Sequence, residues 1–427
     1  MAAHPLNSEI RREENSRRRR VVVTGVGVIS PAGNDAPSLW KSVSEGRSAA
    51  APITKFDTSR LPVKIGAEVR DFRIGDYIRA KTNRLDFTIQ YGVAAAATAL
   101  RDSGLDPRKA ADRIGIVEGT TISGTESTLK TQKNFLDADG DYRKLHPYNV
   151  VAGYCGEGSS TISMQLGIQG AAITYCSGCA SGNDAIGHAM KLIQSDQFDA
   201  MVAGGSEHMV EMLHVGFCRL GAMSEYAGDP HKAMKPFDRG RDGFVLGEGS
   251  AFLVLEELSH ALGRGAKIYA EMIGHGRTSE AYHPTDPHPE GIGYQQAMER
   301  ALRDAAIHPD EVDYINAHAS ATQKNDPIET HAIKQIFGKH ARQLSVSGTK
   351  PVTGHLMGAS GAIETLIAVL ALHHQTIPPT INLENPDAGC DLDYVSVRRP
   401  YPIRVAMNLN AGFGGRYACL LMRHFTG

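Results

Sequence analysis

Apolar runs and stretches of helical spacing alternate along this chain from Val21 onward. Val21–Ile29 (VVVTGVGVI) is apolar or small throughout and stops at Ser30-Pro31-Ala32-Gly33, which reads as a buried strand closed by a turn. Residues 91–105 are Ala-rich with helical spacing, 114–118 read as a strand, and 163–166 fall in another helical stretch. Further strands are expected at 171–175, 200–203 and 251–255, then at 268–273, 314–317 and 344–347. Residues 256–265 (EELSHALGRG) form a short helix ending at glycine, after which a new strand opens near Lys267. The alternation predicts a layered α/β fold in two halves, 21–265 and 266–427. No Pro-rich or low-complexity linker separates them, so the halves are expected to pack closely.

Length agrees with this division, because 427 residues exceed one ordinary core. With 41% hydrophobic and 22% charged residues the profile is that of a globular protein, and 45 glycines point to many tight turns. A formal net charge of -2 gives no reason to expect nucleic acid or an anionic membrane as partner. No window approaches the ~20 apolar residues of a membrane span. Six cysteines without a secretory signal argue against a disulfide framework and for a cytoplasmic location, which frees one of them for chemistry. Residues 1–20, with Arg11, Arg12 and Arg17 to Arg20, read as a disordered basic tail, either a plain solvated leader or a docking arm for an acidic carrier. Gly25 and Gly27 resemble the start of a dinucleotide fingerprint, but Ser30 and Pro31 break it.

Residues 171–182 (AAITYCSGCASG) read as strand, sharp turn and helix. Ala185 and Ala189, Ile186 and Met190, and then Ile193 form one apolar helical stripe. Cys179 thereby falls at a helix start, where free N–H groups and the positive dipole end favour a thiolate, as a nucleophile requires. Gly178 and Gly182 allow close approach of a substrate. Cys176 and Cys179 also make a C-x-x-C, but no second such pair follows, so neither a redox couple nor a metal site is expected.

His318 lies where the apolar run 314–317 enters a loop of small and hydroxyl residues, Ala319-Ser320-Ala321-Thr322. Lys350 and His355 are held five apart in a Pro/Gly-containing turn that leads into further small residues to Ala362. Near the C-terminus, Gly412-Phe413-Gly414-Gly415 sets one aromatic in a glycine loop that could equally be a plain hairpin turn.

These four pieces, in this order, resemble the elongating β-ketoacyl-acyl-carrier-protein synthases of the thiolase-like superfamily. The matching motifs are Ser177-Gly178-Cys179-Ala180-Ser181-Gly182, His318 to Thr322, Thr349-Lys350 to Gly354-His355, and Gly412 to Gly415. Arg241-Asp242-Gly243-Phe244 and Pro378 to Asn382 match as well. The resemblance implies a thiolase-like five-layer α-β-α-β-α duplicated fold and a Cys179–His318–His355 triad with Lys350 as auxiliary charge. It also implies an oxyanion site from the N–H groups of Cys179 and Phe413, a gate at Phe413 with Gly412 and Gly414, and a pantetheine tunnel past Ser320 and Thr322. The implied reaction is decarboxylative condensation of a malonyl thioester with an acyl chain on Cys179. No cofactor of its own is expected, since phosphopantetheine comes with the acyl carrier protein, and no metal is expected.

The family's H-G-T-S-T stands here as His318-Ala-Ser-Ala-Thr322, Ala411 replaces an aromatic, and Arg416-Tyr417 replaces Thr-Asn. With Ser320, Asn325 and Asp326, these departures look closer to type II polyketide ketosynthases than to a housekeeping fatty-acid synthase II. A heterodimer with a chain-length-factor subunit is therefore expected, or else a homodimer. A non-catalytic chain-length factor normally lacks the nucleophile that Cys179 supplies. A thiolase would need a second cysteine in a glycine-shaped loop, which Cys419 in Ala418-Cys-Leu-Leu is not.

Overall fold

The computed structural model describes residues 18–79 and 85–427. Eleven strands make one sheet: β1 (Val21–Ile29), β2 (Ile114–Gly119), β3 (Ala172–Tyr175), β4 (Ala200–Glu207), β5 (Gly249–Glu257), β6 (Ala270–Ser279), β7 (Tyr314–Asn316), β8 (Ser345–Ser347), β9 (Asp393–Tyr394), β10 (Val405–Gly412) and β11 (Arg416–Arg423). Their spatial order is β9-β8-β7-β10-β11-β6-β1-β5-β4-β2-β3.

A repeat is written into that order. From its edge inward, the first half runs third strand, second, fourth, fifth, first. The second half repeats this with β8, β7, β10, β11 and β6 and adds β9 outside. Directions repeat too: β2 is parallel to β3 and β4, as β7 is to β8 and β10, while β4–β5 and β10–β11 are antiparallel. Within the sheet the two halves pair along a seam, Val21–Val23 against Ala270–Met272.

Six helices fill and cover it: α1 (Phe87–Ser103), α2 (Glu157–Leu166), α3 (Ser181–Gln194), α4 (Ile292–Ala305), α5 (Asn325–Phe337) and α6 (Ser360–His374). α3 and α6 pack on each other between the two halves, and their apolar residues share one core with β1, β4, β5, β10 and β11. α1 and α2 cover the outer face of the first half, α4 and α5 that of the second. These are five layers, helix and sheet in alternation. α6 is apolar all round, with every residue from Ser360 to Leu372 buried, as a central helix must be.

Several sequence expectations shift. Arg18, Arg19 and Arg20, assigned to the tail, belong to the folded body: Arg18 pairs with Asp304 at 2.9 Å, Arg19 with Asp199 at 2.6 Å, and Arg20 with Glu271 at 2.7 Å. The carboxylates they meet are distant in sequence, which is why a local reading left them in solvent. The rest of the expected tail, residues 1–17, lies outside the described residues. Gly27 serves helix–strand contact and not a nucleotide, since a Cβ there would lie 2.1 Å from the Ala95 carbonyl oxygen of α1. The strand at 251–255 extends to Glu257, so the short helix expected from 256 begins only at Leu258.

Candidate active site

A cavity of about 330 Å3 opens where the two halves meet, lined by Cys179, Ser320, Thr322, His318, His355, Met357, Gly412 and Phe413 among others. The residues expected to carry the chemistry arrive from strand ends. β3 runs into the Cys179 turn ahead of α3, β7 into His318, β8 into the segment holding Lys350 and His355 ahead of α6, and the β10–β11 hairpin presents Phe413. The loop 412–415 is thus a hairpin turn that is also part of the cavity wall.

Two of the expected site residues stand outside the lining. Lys350 is fully buried, with its Nζ 3.5 Å from His318 Nδ1 and 2.5 Å from Glu364 Oε1, and it also donates to the His318 carbonyl. Gly414 turns away and donates its N–H to the Pro284 carbonyl at 2.7 Å.

The two imidazoles lie with ring centroids 5.5 Å apart and planes at 82°. Burial, reinforced by the Lys350 charge, holds both well below the usual histidine range, so both are neutral. The Lys350 ammonium, which can only donate, lies beside Nδ1 of His318 and so leaves that ring's N–H at Nε2, while Nδ1 of His355 shares a 2.7 Å hydrogen bond with the Ser360 hydroxyl. Phe244 packs edge-on to His355 at 5.0 Å, and Glu329 accepts the backbone N–H groups of His318 and Ala319 at 2.6 and 2.9 Å.

Cys179 departs from its sequence expectation. It sits two residues before the first residue of α3, yet burial pushes its thiol up to about 12, with only Lys350 and a backbone N–H pulling the other way. Desolvation of the anion outweighs the helix terminus here. The thiol, in contact with Met357 Sδ at 3.9 Å, is therefore protonated. Gly412 lies so close to the nucleophile turn that a Cβ on it would fall 2.7 Å from the Ser177 carbonyl oxygen and 2.9 Å from the Cys179 nitrogen. A Cβ on Gly178 would in turn lie 3.5 Å from the Phe413 nitrogen, so the hairpin and the nucleophile turn are in close backbone contact.

A β-ketoacyl synthase N-terminal domain matches residues 18–261 and a β-ketoacyl synthase C-terminal domain residues 269–384. The chain belongs to the β-ketoacyl synthase family. It is 44% identical over 409 residues to 3-oxoacyl-[acyl-carrier-protein] synthase 2 of Coxiella burnetii, spanning 95% of this chain and 98% of that one. It is 42% identical over 415 residues to the protein of the same name from Synechocystis, spanning 96% and 99%. Among solved structures, a chain of the ishigamide ketosynthase/chain length factor is similar with TM-score 0.89 and 34% identity, covering 96% of this chain and all of that one. A chain of a type II PKS acyl-carrier protein in complex with its ketosynthase bound to the hexaketide has TM-score 0.86 and 32% identity, with the same coverage.

This β-ketoacyl-ACP synthase thus has the thiolase-like ketosynthase fold, and it is an enzyme of carbon–carbon bond formation. Several groups in its cavity went unseen in the sequence. Met357 and Phe217 were ordinary apolar residues, and Glu329, Glu364 and Asn410 were isolated polar positions; only the fold brings them to the histidines and the lysine. Arg241 and Asp326 were noticed as motif residues without a role. Arg241 donates to the carbonyls of Thr322 and Gln323 and to Asp387, and Asp326 accepts from the Phe237 N–H at 2.8 Å, so both brace the His318 loop. No helix among the described residues is long and apolar enough to cross a membrane.

Proposed function

We propose that the enzyme condenses malonyl-ACP with an acyl chain carried on Cys179, releasing carbon dioxide and giving a β-ketoacyl-ACP. The observation that carries this is a protonated, partly buried thiol sharing one cavity with two neutral imidazoles, beside a buried ammonium. Cys179 attacks the acyl thioester, its proton passing to the pantetheine sulfur, which leaves as a thiol, while the Lys350 charge opposes the cost of the transient thiolate. The Nε2–H groups of His318 and His355 then donate to the malonyl thioester oxygen as decarboxylation leaves an enolate, which neutral donors stabilise without a proton having to be lost first. The enolate carbon attacks the Cys179 thioester, and the amides of Cys179 and Phe413 hold the oxyanion until the sulfur departs. Ser320 and Thr322, with hydroxyls 2.9 Å apart, line the pantetheine path, and Phe413, 42% exposed and 6.1 Å from the Phe217 ring, gates the acyl side. No cofactor of the enzyme's own enters these steps.

A fatty-acid-type elongating synthase is the reading favoured by 40–44% identity to 3-oxoacyl-ACP synthases 2. A type II polyketide ketosynthase is the second reading, supported by Ser320 and the Asn325-Asp326 pair and by similarity to structures of that class. In either case a second thiolase-like subunit is expected along β3, an edge strand with partly exposed residues flanked by the exposed Tyr148, Val150, Tyr154 and Met164. This is a second copy in the first reading and a chain-length factor in the other.

Intact-mass measurement after incubation with an acyl-ACP tests the chemistry: the parent chain gains one acyl group and Cys179→Ala gains none. An acyl group on Cys179→Ala would overturn the assignment. Adding malonyl-ACP to the purified chain alone separates the two readings, because a β-ketoacyl-ACP formed by a self-sufficient homodimer excludes an obligatory chain-length factor.

A further inference from the structure

One histidine stands outside this chemistry. His208 follows directly on β4; it is 5% exposed, and its Nδ1 is buried with no hydrogen-bond partner among the described residues. That nitrogen faces Glu126 Oε2 at 3.3 Å, and ligand atoms of Asp86, Glu126 and His208 all lie within 4.8 Å of one another. Three separate segments converge here. Asp86 caps α1, Glu126 lies in the first turn of the helix Thr125–Asp137, and His208 ends the strand segment.

The surroundings prepare the nitrogen as a ligand. Nε2 of His208 faces Glu248 Oε2 at 3.7 Å, and Glu248 is fixed in turn by the amides of Val69 and Met209 at 2.8 and 3.1 Å and by Lys55 at 2.5 Å. At 3.7 Å this carboxylate is too far for a hydrogen bond, but its negative charge lies behind the imidazole, on the side away from Glu126. A buried ring nitrogen that lacks a hydrogen-bond partner among the described residues and lies 3.3 Å from a carboxylate oxygen is a pair that a cation between them would satisfy. The carboxylates keep capacity for it. Glu126 uses Oε1 for Lys130 at 2.6 Å and leaves Oε2, while Asp86 accepts from the Thr88 N–H at 2.9 Å through Oδ1 and from the Ser127 hydroxyl at a longer 3.4 Å through Oδ2.

We propose that Asp86, Glu126 and His208 bind a divalent transition-metal ion of the zinc class through one nitrogen and two carboxylates, with water completing the coordination. One imidazole with carboxylates suits such an ion better than an all-oxygen site suited to calcium or magnesium. The ion ties two helix starts to the end of β4. The preceding residue, Glu207, holds the amides of Thr121 and Gly358 beside the cavity floor, so the bound ion braces that floor without touching the reaction.

The test uses the full-length chain, stripped with chelator and titrated with zinc chloride by calorimetry and with cobalt(II) by visible absorption. One saturable equivalent is expected, with a nitrogen-ligated cobalt spectrum and a melting temperature that rises with zinc concentration. His208→Asn and Glu126→Gln should each weaken binding at least about tenfold, while Cys155→Ser/Cys176→Ser should retain it. Glu126 is partly exposed, so Glu126→Gln decides the matter even if His208→Asn does not fold. Absence of saturable binding, binding unchanged in Glu126→Gln, or binding lost only with the cysteines would each overturn the proposal.

Discussion

After its third strand each repeat turns into a central helix, β3 into α3 and β8 into α6, and the two turns carry opposite chemistry. The first holds one reactive group, Cys179, whose sulfur meets Met357 and whose field comes from across the seam. The second holds Lys350 and His355, and Glu364 follows on α6, all at 3% exposure or less. The fourth-to-fifth connections differ as well. In the first repeat residues 208–248 make a long excursion that brings Phe217 and Phe244 to the cavity, whereas in the second a three-residue turn suffices to place Phe413. One repeat therefore supplies the nucleophile and an apolar wall, and the other supplies fixed charge and hydrogen-bond donors. Neither set works alone, because the Cys179 thiol, pushed up to about 12, has its only side-chain cation across the seam.

The largest break in this division comes from Lys350→Ala. It leaves Glu364 buried at 1% side-chain exposure without its ammonium, and losing one partner of a buried ion pair costs about 3–5 kcal/mol. Urea unfolding should show that loss, and alkylation of Cys179 by iodoacetamide should slow in parallel. An unchanged alkylation rate would mean the second repeat does not set the reactivity of the first.

Gly412→Ala strikes at the contact between the repeats. The added methyl, 2.7 Å from the Ser177 carbonyl, must push the hairpin away from the nucleophile turn and separate the Cys179 and Phe413 amides. Loss of one oxyanion donor lowers kcat about 10²–10³-fold. Steady-state condensation kinetics should show that drop with KM little changed, and a kcat within about threefold of the parent would remove the paired amides from the mechanism.

Most strands were legible in the sequence because buried strands are continuous apolar runs, and the cavity residues Cys179, His318, His355 and Phe413 because their turns have short, local motifs; the duplication followed from the family resemblance, and β9, β10 and β11 were not foreseen. What sequence could not show is what long-range burial does to charge. Cys179 looked like a helix-start thiolate because only the helix was visible; the side chains around it come from segments remote in sequence, and desolvation by them decides its protonation. Glu329, Glu364 and Asn410 escaped notice for the same reason, as did Asp86, Glu126 and His208, which the fold gathers from three unrelated motifs. Arg18 to Arg20 looked like tail because their carboxylate partners are remote.

Glu329 sharpens the point about buried charge. Its carboxyl is raised from 4.5 to about 8, chiefly by burial. The unfolded chain therefore gives up this proton at lower pH than the folded one. The stability it confers is complete below 4.5 and is lost as pH rises through 8. A glutamine cannot ionise, so Glu329→Gln should be less stable than the parent at pH 5 by an amount that shrinks toward pH 8.5. Denaturant midpoints across that range read the difference, and a penalty constant with pH would place an ionised carboxylate behind His318.

The smallest effect is expected where the second repeat departs most from its family, in the loop after His318. Ala319 and Ala321 stand at φ of 45° and 59°, a left-handed backbone that costs an L residue about 1–2 kcal/mol and that glycine enters freely. Ala319→Gly removes that strain. It also forfeits a fully buried methyl, about 0.8 kcal/mol, and adds about 0.5–1 kcal/mol of unfolded-chain entropy. The three contributions nearly cancel, so global stability should move by less than about 1 kcal/mol while amide exchange at 318–323 quickens, because the backbone is no longer confined by a Cβ wedged toward Gly348. Faster exchange with unaltered stability would show that the alanines stiffen the loop that positions His318. Exchange left unchanged would assign that stiffness to Arg241 and Asp326 alone.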